Sequence, residues 1–237
     1  MRVKICGARR AEEVTALAHA GADFVGLWHG VPRGRAELSE TELTGLAAAA
    51  HAAGLRPILV TLTSSVARIA AQAQRTGIEW VQLHGYQQPG TVRSLKAACP
   101  GTTVVKVLHI RDGQCVEQDL IRSYERSGVD IFLLDALAAD GRIGSTAQTV
   151  DPGVAGRITD DVTKPVMLAG GLTAANSAHY RELTGHPRFF GIDVDSATRN
   201  AAGYIDAARV AEIRRKWTVG TGWTDCDDSE PIHPHAP

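Results

Sequence analysis

The chain has little of what several protein classes require. It has almost no net charge: 25 Lys+Arg stand against 26 Asp+Glu in 237 residues, a formal charge of -1, and the basic cluster Arg214-Arg215-Lys216 is short. A phosphodiester backbone would find no basic field to gather it, so nucleic acid is not an expected partner. Nowhere do about 18 apolar residues run together, and the opening Met1-Arg2-Val3-Lys4-Ile5-Cys6-Gly7 has no apolar stretch after its charges. The expectation is a cytoplasmic chain, neither exported nor membrane-spanning. Cysteine is scarce: Cys6, Cys99, Cys115 and Cys226 form no C-x-x-C pair. They are too few for a disulfide scaffold of this size, so free thiols and no metal are expected. A Gly-rich dinucleotide turn is missing too, since Cys6-Gly7-Ala8-Arg9-Arg10 stands where an open doubly wound sheet would carry G-x-G-x-x-G.

What is present is an alternation. Short β-rich apolar runs, Val3–Cys6, Phe24–Leu27, Pro57–Leu62, Trp80–Leu83, Val104–Leu108, Ile131–Leu134, Val166–Leu168 and Phe189–Val194, read as strands. Their nearly continuous apolarity fits parallel strands buried on both faces. Between and after them lie helical stretches: Ala11–Ala20, Glu40–Ala53, Val66–Thr76, Thr91–Ala98, Val116–Ser127, Val154–Thr159, Ala174–Leu183 and Tyr204–Trp217. Ser39-Glu40-Thr41-Glu42 has the form of a capping box before the second helix. A weak repeat (Gly21-Ala22-Asp23, Gly77-Ile78-Glu79, Gly128-Val129-Asp130) places a glycine and then an acid before a strand. A left-handed glycine ending each preceding helix accounts for it. Eight βα units in about 220 residues predict a single (β/α)8 TIM barrel over residues 1–217. From about Thr218 the text turns acidic and aperiodic, and 218–237 reads as a flexible tail whose His233 and His235 are solvated.

In such a barrel Cys6, His84, Asp135, Gly170-Gly171 and Asp193 with Asp195 fall at the carboxyl ends of strands, the face on which barrel enzymes build their sites. Each has a plain structural reading. Cys6 could be a packed thiol, Asp135 a cap, His84 a loop imidazole and the glycine pair a tight turn. The glycines would also let backbone N–H groups approach a phosphate at a helix start. The conjunction on one rim is more informative than any single member.

Lys4-Ile5-Cys6-Gly7, Gln82-Leu83-His84-Gly85, Leu133-Leu134-Asp135, Leu168-Ala169-Gly170-Gly171-Leu172 and Gly191-Ile192-Asp193-Val194 occur in family order over most of Arg2 to Trp217. Together they resemble the phosphoribosylanthranilate isomerases of tryptophan biosynthesis. The resemblance implies an Amadori rearrangement of a small phosphorylated sugar, an N-(5-phosphoribosyl) amine, without metal or organic cofactor. It implies Cys6 as general base, Asp135 as general acid, His84 and Asp193 as substrate contacts and Arg35 facing the aryl carboxylate. Gly170, Gly171 and Ser196 would hold the phosphate. The chemistry requires a raised pKa at Asp135 and a lowered one at Cys6.

The chain departs from the family pattern in three places. Trp28-His29-Gly30-Val31-Pro32-Arg33-Gly34-Arg35 replaces the usual approach to the arginine, and Gly141–Gln148 lacks the family's lysine and aromatic. Asp193-Val194-Asp195-Ser196-Ala197-Thr198-Arg199 stands where the family runs aspartate-valine-serine-serine-glycine-valine-glutamate. Asp195 thereby puts a carboxylate where a phosphate is expected, a repulsion unless it turns away. Two further readings stay open: a diverged member acting on another amino sugar or sugar phosphate, and a non-catalytic binding barrel. The second is disfavoured by the retention of Cys6 and Asp135. The number of subunits is not legible.

Overall fold

A computed structural model of the protein describes residues 1–137 and 148–218. Eight strands, β1 (Arg2–Cys6), β2 (Phe24–Trp28), β3 (Arg56–Thr61), β4 (Trp80–Leu83), β5 (Thr103–Arg111), β6 (Ile131–Ala136), β7 (Val166–Leu168) and β8 (Phe189–Val194), pair in parallel, each with its sequence neighbour. β1 also pairs with β8, Arg2 opposite Gly191, which closes the barrel. The expected (β/α)8 TIM barrel is the observed fold.

Alternation along the strands separates two cores. Inward-facing Phe24, Ile58, Trp80, Val105, Ile131 and Met167 belong to one cluster, in which the Phe24 and Trp80 rings lie 4.8 Å apart. Arg56 covers both rings with its guanidinium. Outward-facing Val3, Ile5, Val25, Leu27 and Leu134 pack in a second core with helix residues such as Leu17, Leu43 and Ile213. The strands are therefore buried on both faces, which is why they read as continuous apolar runs.

The helices are α1 (Ala11–His19), α2 (Glu40–Ala52), α3 (Val66–Thr76), α4 (Pro89–Ala98), α5 (Ile121–Arg126), α6 (Pro152–Asp161), α7 (Arg181–Thr184) and α8 (Ala207–Thr218). The capping box forms: Glu42 N–H donates to Ser39 Oγ and Ser39 N–H to Glu42 Oε2. The repeat glycines take the left-handed conformation, with φ of +78°, +67° and +97° at Gly21, Gly77 and Gly128. Two of the acids that follow have a second role. Asp23 Oδ2 accepts Val3 N–H at 2.8 Å and Asp130 Oδ2 accepts Val104 N–H at 2.7 Å, tying each unit to the neighbouring strand.

Four helix expectations are corrected. The fifth, Val116–Ser127, begins late because β5 runs on to Arg111, turns at Asp112-Gly113 and returns antiparallel through Gln114–Cys115. Val116 N–H then donates to His109 O, so a 3-10 turn precedes α5. The seventh, Ala174–Leu183, shrinks to a 3-10 turn (Ser177–Tyr180) and α7. There Thr173 and Asn176 exchange side-chain bonds to each other's N–H and hold the chain out of helix. The eighth starts at Ala207 rather than Tyr204 because Asp206 Oδ1 accepts the N–H of Ala208 and of Arg209. The sixth is longer at both ends, Pro152–Asp161, and its start is set by Asp151, whose Oδ1 caps Val154 N–H. Most of the proposed tail and of the 141–148 segment lie outside the described residues. Among the described residues no helix is long and apolar enough to cross a membrane.

Candidate active site

The carboxyl ends of the strands open into a cavity of about 360 Å³ lined by Cys6, Trp28, His84, Asp135, Gly170, Gly171, Asp193, Asp195 and Ser196, among others. Every residue the sequence singled out for chemistry is here except Arg35, which sits beside this group with its guanidinium 5.6 Å from the Trp28 ring centre.

β1 supplies two inward side chains in alternation, Lys4 and Cys6. Lys4 is 0 % exposed. Its ammonium donates to Asp193 Oδ2 at 2.5 Å and to Cys6 Sγ at 3.3 Å. Burial opposes that charge, but Asp193 and Cys6 together hold the Lys4 pKa above its ordinary value. Trp28 Nε1–H is a second donor to Cys6 Sγ, at 3.0 Å. Room for this arrangement comes from Gly26 on the adjoining strand: a Cβ there would stand 2.6 Å from the sulfur and 3.1 Å from the ammonium. Neither Lys4 nor Trp28 was singled out from the sequence for chemistry. The signal for Lys4 was its period-2 placement beside Cys6 on one face of a strand.

The expected lowering of the Cys6 pKa is not observed. Burial pushes the thiol up to about 12; Lys4 pulls it back while the Asp193 and Asp195 carboxylates add to the rise. Desolvation outweighs one neighbouring cation when two carboxylates share the site. The expectation for Asp135 holds: burial, then the Asp193 carboxylate, push it up to about 7 against Lys4 and the Ala136 N–H. Gly170, at φ +83°, packs close beneath it, a Cβ there meeting Gln148 O at 2.7 Å and Asp135 Oδ1 at 3.1 Å.

His84 follows β4, with Gln82 Nε2 donating to its Nδ1 at 2.7 Å. Its Nε2 lies 3.5 Å from Asp135 Oδ2. Burial and the nearby cations His109, Lys4 and Lys106 depress its pKa well below the usual value. Asp193 Oδ1 is buried and makes no hydrogen bond among the described residues, which leaves a carboxylate acceptor at the cavity wall.

Asp195 does not project an unbalanced charge. Arg199 Nε donates to its Oδ1 at 2.9 Å, and Arg35 binds its Oδ2. Arg199 also donates to Cys6 O and Gly7 O at 3.0 and 2.9 Å, so the acid is tied to the β1 loop. The two family departures, Asp for Ser at 195 and Arg for Glu at 199, are partners. Among the described residues no group of three or more His, Cys, Asp and Glu side chains is arranged to hold a metal ion.

A family model for N-(5'-phosphoribosyl)anthranilate (PRA) isomerase matches residues 3–216. The chain is 36 % identical over 211 residues to an N-(5'-phosphoribosyl)anthranilate isomerase of Chromohalobacter salexigens, covering 88 % of this chain and 90 % of that protein. To the isomerase of Cereibacter sphaeroides it is 34 % identical over 215 residues, 89 % of this chain and 95 % of that one. The solved N-(5'-phosphoribosyl)anthranilate isomerase from Pyrococcus furiosus aligns with a TM-score of 0.71 and 24 % identity over 92 % of this chain and 98 % of its own. That last likeness is one of fold.

Proposed function

We propose a mechanism from one premise: the chain belongs to the N-(5'-phosphoribosyl)anthranilate isomerase family. Its reaction is the isomerisation of N-(5'-phosphoribosyl)anthranilate in tryptophan biosynthesis. The observation that carries the residue assignment is that Cys6 and Asp135 line one cavity, the carboxyl holding its proton up to about 7.

Asp135, protonated, gives its proton to the furanose ring oxygen, and the C1–O bond opens to an iminium. Cys6, as thiolate, removes the proton from C2. The electron pair closes onto the iminium to give an enolamine, and a proton gained at C1 with one lost from the C2 hydroxyl yields the open-chain aminoketose phosphate.

The values in the unliganded pocket run opposite to this assignment. With Cys6 at about 12 and Asp135 at about 7, the thiolate–acid pair is about 10^5 times rarer than the thiol–carboxylate pair. The iminium supplies what the unliganded site lacks. Its positive charge, one bond from C2, acidifies that carbon and stabilises a thiolate to which Lys4 and Trp28 already donate.

Asp193 Oδ1 accepts a ribose hydroxyl, and neutral His84 offers its Nε2–H beside Asp135. The N–H groups of Gly170, Gly171 and Ser196 receive the phosphate. Arg35 exchanges Asp195 for the aryl carboxylate, and Arg199 keeps Asp195 neutralised when it does so. The described cysteines, Cys6, Cys99 and Cys115, are free, which supports a reducing, cytoplasmic setting. Incubating the full chain with N-(5'-phosphoribosyl)anthranilate tests the reading. Formation of the ketose phosphate is expected; its absence, or equal rates with a substrate lacking the carboxylate, would count against it.

A further inference from the structure

Next to His84 lies a cluster of buried ionisable groups that the acid–base step does not use. His109, on β5, donates from Nδ1 to Glu117 Oε1 at 2.6 Å. Its Nε2 stands 3.0 Å from the main-chain oxygen of His84. Glu117 Oε2 accepts the His109 backbone N–H at 2.8 Å, so the carboxylate is held at both oxygens. His109 and Glu117 are 0 % and 4 % exposed. Both ring nitrogens of His109 thus face oxygens that only accept, an ionised carboxylate and a carbonyl, and each must carry a hydrogen. That hydrogen-bond pattern is the one a doubly protonated ring makes.

The rings of His109 and His84 lie near perpendicular with centroids 6.2 Å apart. His84 has the opposite pattern: Nδ1 accepts from Gln82, and only Nε2 carries a hydrogen, on the side of Asp135. A second proton on His84 would have to replace the Gln82 bond and sit beside the His109 cation.

We infer that Glu117 and His109 are positioning residues for the isomerase reaction. The ion pair holds the main chain of His84 in place, and its buried cation keeps the His84 ring neutral with Nε2–H directed at Asp135. The inference rests on the acid–base reading above, because its consequence falls on the general acid. A cationic His84 beside Asp135 would stabilise the carboxylate and draw off the proton the ring oxygen must receive.

The other charged or titratable groups around His84 are Lys4 from β1, Lys106 from β5 and Asp135 from β6, with Asp193 from β8 reached through Lys4 and Cys115 from the β5 return reached through Lys106. Tyr86, on His84's own loop, packs against His109 with the rings tilted and their centroids 4.8 Å apart. Lys106 is committed to Gly85 O and lies 4.0 Å from Glu117. Lys4 is committed to Asp193 and Cys6. His109 is the cation whose hydrogen bond reaches His84 itself.

The test is imidazole nitrogen NMR of the substrate-free full chain against pH, on the wild type, His109→Gln and Glu117→Gln. In the wild type, His109 is expected to show two protonated nitrogens and His84 one, at Nε2. In His109→Gln, whose amide can still donate to His84 O, the His84 titration should rise by about one pH unit or more. The kcat of that variant should then lie about tenfold below that of the wild type at acid pH, with KM little changed. A singly protonated His109 in the wild type, a measurement that needs no variant, would overturn the inference. So would a His84 titration unmoved in both variants. Failure of the same wild-type preparation to turn over N-(5'-phosphoribosyl)anthranilate would instead overturn the acid–base reading, and the spectra tell the two apart.

Discussion

Lys4 Nζ donates a hydrogen bond to Cys6 Sγ at 3.3 Å, from two residues back on the same inward face of β1. The same ammonium holds Asp193 at 2.5 Å, so one buried cation serves both the base and a substrate-binding carboxylate.

Lys4→Gln is expected to lower kcat at least about a hundredfold and to raise the pH at which Cys6 is alkylated, since it removes the cation opposing thiol burial. The single change also strands the Asp193 carboxylate, a loss on the order of 3–5 kcal/mol. Lys4→Gln with Asp193→Asn should recover stability and no activity. A folded single variant within about tenfold of wild-type kcat would show Lys4 to be structural only.

Asp135→Asn should abolish turnover with little change in KM, and in the wild type kcat should climb as pH rises toward about 7 and then level, because the thiolate–acid pair gains on the doubly protonated site only up to that pH. The linkage has a definite sign. The folded state keeps this proton from the unfolded carboxyl's ordinary range up to about 7, so stability contributed by Asp135 falls as pH climbs through that window and is gone above it. Thermal unfolding at alkaline pH should therefore find Asp135→Asn more stable than the wild type, by a few kcal/mol at most. A variant that is less stable there would support a capping role for Asp135.

Arg35→Ala should raise KM for the carboxylated substrate about tenfold or more, the value of a charge-assisted hydrogen bond, and leave kcat nearly unchanged. Steady-state kinetics decide it. A fall in kcat with KM unchanged would place Arg35 in the chemical step.

Arg199→Ala removes one of the two guanidinium groups that balance the Asp195 carboxylate beside the phosphate-binding loops, and inorganic phosphate should bind about tenfold more weakly. Adding Asp195→Ser should return the affinity toward that of the wild type, an interaction that calorimetry across the double-mutant cycle measures directly. Equal affinities in the single and double variants would show that Asp195 is irrelevant to the anion.

Much of this was legible in the sequence, and the reasons are physical. Strands buried on both faces leave unbroken apolar runs, and left-handed helix ends demand glycine, so all eight strands and the Gly21, Gly77 and Gly128 turns could be read from local text. The Arg111–Gln114 hairpin carries its own Asp-Gly signal, which a helix read from Val116 to Ser127 leaves out of account. Long-range partnerships were not legible. Nothing local announces that Arg199 neutralises Asp195 or that Glu117 reaches His109. Cys6 shows the same limit: proximity to Lys4 argues for a lowered pKa, and only the depth of the pocket shows that desolvation prevails.

The central claim is that Cys6 Sγ removes the C2 proton. The most direct test is turnover of N-(5'-phosphoribosyl)anthranilate by a Cys6→Ser variant with unchanged thermal unfolding. The account predicts a loss of kcat of about a thousandfold or more, because the serine hydroxyl lacks an accessible anion near neutrality. Activity within about tenfold of the wild type, on the order of 1.4 kcal/mol of barrier, would contradict it.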